Sequence, residues 1–152
     1  MKIKHIVVLP GQTSEPILAG LEQLGLQISN RFSNGTDCLL ICNSGYEMTP
    51  SGSLLIREAL AGGTPVLLDG DGMNCAAVLD EIRETSDLSE KTRRGLEAHA
   101  LYRCLQADAK RLAELQASPD GKSLPRYVAA AYEKVQDLRY GENWHQKAAL
   151  YS

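Results

Sequence analysis

Apolar residues along this chain come in two kinds of run. Cys38 to Cys42 and Val66 to Leu68 are short, unbroken apolar stretches bounded by Asp, Asn, Gly or Pro. Unbroken rather than alternating apolar character suits a strand buried on both faces, as in a parallel sheet. Between them the apolar positions take a helical spacing. Leu54, Leu55, Leu60 and Ala61 fall near one face of a helix that Ser51 or Ser53 can cap and Gly62-Gly63 can end. Asp37 to Asn74 therefore predicts one βαβ unit. A right-handed crossover lays the helix over one sheet face and leaves both polar loops at the carboxyl edge. Open α/β sheets bind ligands at that edge.

The same two patterns extend in both directions. Ile3 to Leu9 predicts a first strand, and Pro10 to Ser14 a polar turn. Ile17, Leu18, Leu21 and Leu24 form the stripe of a helix capped by Thr13 or Ser14 and ended by Gly25. Leu26 to Ser29 predicts a short strand, too close to Asp37 for a helical crossover to a parallel neighbour. It is either an edge segment or one arm of a hairpin turning at Asn34-Gly35. Asn74 to Arg83 reads as a helix. A long helix follows from Ser89 to about Ala117, with Leu96, Leu101, Cys104, Leu105, Leu112 and Leu115 as its seam. Another helix is expected from Leu124 to Leu138, with Tyr127, Val128, Ala131, Tyr132, Val135 and Leu138 on one side, closing an αα-hairpin. Glu142 to Tyr151, with Trp144 and His145, reads as a last short helical segment. The expected fold class is α/β: a small, mainly parallel, Rossmann-like (flavodoxin-like) sheet flanked by helices, with a C-terminal α-helical hairpin. Residues 1–84 would form the sheet domain. Residues 85–152 would form the hairpin, packed on that domain or on another subunit.

Composition narrows the class. The 43% hydrophobic and 23% charged content is that of a globular protein with an ordinary core. A net charge of −3 gives no argument for nucleic acid or an anionic membrane. The apolar run after Met1 is too short for a signal peptide, and no stretch approaches transmembrane length. Cys38, Cys42, Cys75 and Cys104 lack zinc or CxxC spacing, so reduced thiols in the cytoplasm are expected, with no metal and no cofactor. Cys75 stands apart because a helix N-terminus can activate a thiol.

The candidate chemistry gathers on the loops at the carboxyl edge. These hold Gly11, Gln12 and Thr13, then Asn43, Ser44, Gly45, Tyr46, Ser51, Gly52 and Ser53, then Asp69, Asp71 and Asn74. Glycines let backbone N–H groups approach a ligand, and a helix N-terminus attracts phosphate or carboxylate. Ser51-Gly52-Ser53 is the anion candidate, while Asp69 and Asp71 suit ribose hydroxyls or a metal. The plain alternative is that these are ordinary strand–helix turns, which use the same residue types.

Asp37-Cys38-Leu39-Leu40-Ile41, Gly45-Tyr46, Ser51-Gly52-Ser53 and Gly63-Thr64-Pro65-Val66 resemble the core of the nucleoside 2-deoxyribosyltransferase-like and Lonely Guy-type (SLOG) nucleotide-binding families. The resemblance implies a Rossmann-like fold and a pocket for a small nucleoside or nucleotide. The position matching the families' catalytic Glu is near Leu55, and Glu58, one turn later, is the nearby carboxylate that could stand in. Leu55 cannot act as nucleophile or base, so the resemblance implies this fold and pocket more than an N-glycosidic activity, and one reading is an N-glycosidic enzyme of that type. The alternatives are a non-catalytic nucleotide-binding or regulatory protein, or an interaction module working through the helical hairpin. A homo-oligomer is expected, with no membrane and no nucleic-acid partner.

Overall fold

The computed structural model describes residues 2–9, 15–32, 34–70, 74–117, 124–138 and 148–152. The chain divides into two compact units, residues 1–107 and 108–152. The boundary expected at 84/85 therefore falls inside the first unit.

The first unit holds strands β1 (His5–Val8), β2 (Gln27–Ser29), β3 (Cys38–Asn43) and β4 (Val66–Asp69). They form one parallel sheet in the order β2-β1-β3-β4. Helices α1 (Glu15–Glu22), α2 (Pro50–Ala61), α3 (Cys75–Thr85) and the first part of α4 (Glu90–Leu115) accompany it. The expected α/β architecture is thus observed.

The strand sequences explain why both faces are covered. Ile6, Leu39, Ile41 and Leu67 turn to one side, against Ile17 and Leu21 of α1 and Val78, Leu79 and Ile82 of α3. Val7, Leu40, Cys42, Val66 and Leu68 turn to the other, against Ile56 and Ala59 of α2 and Ala100 and Cys104 of α4. Successive strand residues point to opposite faces, so a strand with helices on both sides must be apolar throughout. Each buried Leu or Ile contributes roughly 1.5–3 kcal/mol relative to exposure.

Of the two readings of Leu26–Ser29 the edge segment holds, and two other local expectations change. The Asn34-Gly35 hairpin does not form. β2 is an edge strand parallel to β1, and β1 lies between it and β3. With a strand of three residues, an irregular return suffices where a longer strand needs a helix. Gly35 instead docks on buried Thr64, whose Oγ1 accepts from Gly35 N–H (2.9 Å) and donates to Gly35 C=O (3.1 Å). The N-cap of α2 is Thr49, not Ser51 or Ser53, because Pro50 takes the first helical position. In α4 the buried stripe is Leu96, Ala100, Cys104 and Ala107, while Leu101, Leu105 and Leu115 are exposed.

The second unit replaces the expected second helix with extended chain and strands. Residues 124–133 carry no helix, and β5 (Lys134–Leu138) pairs antiparallel with β6 (Ala148–Tyr151). Glu133 and Ser152 continue the ladder by exchanging both backbone bonds, at 2.9 and 3.0 Å. A register shift between Lys134 and Gln136 leaves Val135 as a bulge. Tyr127, Val128, Tyr132 and Val135 fit a helical stripe by spacing, but β-branched Val135 lies in β5, where such residues are favoured once a partner strand exists. That partner is the segment expected as the last helix. Trp144 and His145 lie outside the described residues. Gln116, at the end of α4, clamps the extended chain: its Oε1 accepts from Tyr127 N–H and its Nε2 donates to Tyr127 C=O, each at 2.8 Å. A mostly apolar groove of about 190 Å³ runs beside this clamp, between Leu112 and Val128.

Candidate functional site

The carboxyl edge of β3 and β4 brings two of the expected loops together. Asn43 and Asp69 are register partners at the strand ends. Ser44 N–H donates to Asp69 C=O at 2.7 Å. Asp69 is buried, and Asn43 and Ser44 are half-buried. Gly45 follows in the left-handed region at φ 101°, a conformation that glycine adopts without a steric penalty. Tyr46–Met48 then makes a single 3-10 turn leading to Thr49.

The amides of Gly45, Met48, Thr49, Gly52 and Ser53 are satisfied within the loop and its cap. Gly45 N–H donates to Glu47 Oε2 at 2.7 Å. Met48 and Thr49 N–H donate to Gly45 and Tyr46 carbonyls. Thr49 Oγ1 accepts from Gly52 N–H (3.0 Å) and donates to Tyr46 C=O (2.8 Å), while Thr49 C=O accepts from Ser53 N–H. Gly52 is required here, since a Cβ would lie 1.9 Å from the Tyr46 carbonyl oxygen. The amides of Gly52 and Ser53 are therefore committed to the cap, and Pro50 has none. At Ser51 and Ser53 the hydroxyls, more than a cradle of amides, are what this end of α2 offers an anion.

On the β4 side, Asn74 caps α3 by accepting from Ala77 N–H at 3.1 Å. Cys75 Sγ lies 3.8 Å from Leu68 C=O. Gly11, Gln12, Thr13 and Asp71 lie outside the described residues. Glu58 is exposed near the other end of α2, where its carbonyl accepts from Gly62 N–H. Seven residues separate it from Ser51, about 10 Å along the helix. The structure thus gathers Asn43, Ser44, Gly45 and Asp69 at one edge, sets Tyr46, Ser51, Gly52, Ser53 and Asn74 around it, and leaves Glu58 apart.

Glu47 and Arg103 carry no signal of their own in the sequence pattern. Glu47 is fully buried, and its Oε1 accepts from Arg103 Nη2 (2.8 Å) and Nε (3.2 Å) on α4. Arg103 Nη1 also donates to Gln106 Oε1 at 3.2 Å, and Gln106 Nε2 donates to the Tyr102 hydroxyl at 2.7 Å. The one available clue is positional: Arg103 adjoins Cys104 on the buried stripe of α4, where a charge needs a partner. Burial, then the Glu47 carboxylate and Cys104, push the Cys42 thiol up to about 12. Cys42 is therefore protonated at neutral pH and is no nucleophile. Among the described residues no group of three His, Cys, Asp or Glu side chains could hold a metal ion. Among them, too, no helix is long and apolar enough to cross a membrane.

A family model described as AICARFT/IMPCHase bienzyme matches residues 66–152. The bifunctional purine biosynthesis protein PurH of Acetivibrio thermocellus is 35% identical over 100 residues, 66% of this chain and 20% of that protein. PurH of Bacillus mycoides is 35% identical over 100 residues, 66% of this chain and 19% of that protein. PurH of Clostridium beijerinckii is 30% identical over 101 residues, with 66% and 20% covered. The chain spans about a fifth of the length of these curated relatives. These matches overturn the expected kinship with the deoxyribosyltransferase-like and Lonely Guy-type families, and with it the N-glycosidic activity. The residues behind that expectation, 37–66, report a βαβ unit shared by many families.

Proposed function

The chain belongs to the AICARFT/IMPCHase bienzyme family, and on that premise we propose that it serves purine biosynthesis with a formyltransferase-like role on a small nucleotide-type molecule. The observation that carries this reading is the family match over residues 66–152, which takes in β4, α3, α4, β5 and β6. The polar edge at β3 and β4 supports it. There Asn43, Ser44, Asp69 and Asn74 would meet ribose hydroxyls or base edges, and the Tyr46 ring would flank them. Glu58 has no part in this proposal, because its role rested on the overturned kinship. A cytoplasmic location belongs to the same reading, and four cysteines without a disulfide support it.

Thermal unfolding with added ligand tests the proposal. AICAR at a hundredfold excess over its Kd should stabilise the protein by about 2.7 kcal/mol. A 2′-deoxyribonucleoside should leave the midpoint unmoved. The reverse pattern would overturn the proposal.

A further inference from the structure

We infer that Arg103 is a positioning residue: acting through Glu47, it holds the β3–α2 loop in the conformation that forms the ligand edge. The inference rests on the reading above, since it concerns the loop assigned to the ligand. Three observations carry it. First, Gly45 occupies a left-handed conformation beside Ser44 and Asn43, and its amide is fixed by Glu47 Oε2 at 2.7 Å. Second, Glu47 is fully buried, and a buried carboxylate requires a compensating charge. Third, that charge comes from α4, where Arg103 places two donors on Glu47 Oε1. The two carboxylate oxygens thus act separately, Oε2 holding the loop and Oε1 holding the helix. Gln106 accepts from Arg103 Nη1, which fixes the guanidinium plane from its own helix. The arginine side chain is 27% exposed, so it reaches the carboxylate from the rim of the core.

The geometry separates this role from general support of the fold. The sheet ladder between β3 and β4 does not pass through Glu47. Loss of Arg103 should therefore loosen the loop before it loosens the sheet.

The test compares Arg103→Met, Arg103→Lys and, as a control on the same helix, Arg94→Met, whose exposed partner is Glu90. Amide hydrogen exchange is followed by NMR at Gly45 and at Leu40 in β3, and AICAR affinity is measured by calorimetry. Arg103→Met should speed Gly45 exchange by about tenfold or more, with Leu40 changed less than twofold, and weaken AICAR binding by about tenfold. Arg103→Lys should recover part of both effects, because an ammonium restores charge without the two-donor fork. Arg94→Met should change neither. Should Arg103→Met fail to fold, Arg103→Lys, which keeps the charge and leaves Glu47 in place, is read in its stead. Unchanged Gly45 exchange in a folded Arg103 variant would overturn the inference. If the wild type binds no AICAR, the functional reading falls, while the Gly45 exchange still decides the role of Arg103.

Discussion

β3 and β5 are both short strands, and their surroundings differ completely. Five of the six residues of β3, Cys38 to Cys42, are buried, with helices packed on both faces. All five residues of β5 are exposed. In β3 every buried position must be apolar, and that demand shows directly as an unbroken run of apolar residues. In β5, where all five positions are exposed, burial does not constrain the pattern, and backbone pairing with β6 decides the conformation. A two-stranded ribbon with open faces adds little stability by itself. Apolar continuity reports burial between layers, whereas strand pairing without burial leaves only a faint trace.

Truncations should break this comparison most forcefully. Leu40→Ala empties a site with no exposure and should cost about 3 kcal/mol in urea unfolding. Val135→Ala, at the exposed bulge, should cost about 0.5 kcal/mol or less. Equal costs would mean that β5 is covered after all. Gly52→Ala comes next. In an exposed helix that change gains about 1 kcal/mol. Here the new Cβ meets the Tyr46 carbonyl, and a loss of about 2 kcal/mol is expected from the same unfolding curves. A gain in stability would show that the loop yields easily.

Thr49→Ala should cost about 1 kcal/mol through the lost cap, with Thr49→Ser close to wild type. The smallest effect concerns acid. The Thr92 hydroxyl, then the Ser89 backbone and hydroxyl, hold the Glu81 carboxyl below its ordinary 4.5 against the opposing effect of burial and the Asp87 charge. Its contribution is complete above about pH 4.5 and is lost as pH falls through the lowered folded value. Glu81→Gln should therefore lower stability at neutral pH and lie closer to wild type in acid, once the pH has fallen through the lowered folded value and the carboxyl has taken up its proton. A gap of equal size at both pH values would assign the effect to packing alone.

Much of the first unit is legible in the sequence. The apolar runs of β3 and β4, the Gly-terminated α2 and the helix after Asn74 each follow from local chemistry. The loops rich in Gly, Ser and Asn also announce the edge they form. Thr49 is hidden by Ser51 and Ser53, although Pro50 directly after it marks the first helical position. Glu47 and Arg103 stand 56 residues apart, and no local spacing links them. The second unit misleads because its stripe at 127, 128, 131, 132, 135 and 138 fits a helix equally well. The partner strand that decides the matter lies past residue 147. The family is hidden for another reason: the motif that draws attention ends at Val66, where the matched region begins.

Amide hydrogen exchange of the whole protein with and without AICAR tests most directly whether this chain takes an AICAR-type nucleotide at the β3–β4 edge. Added protection confined to residues 43–49 and to residues 69, 70, 74 and 75 among those described is the predicted result. AICAR binding that leaves both segments unchanged would contradict it.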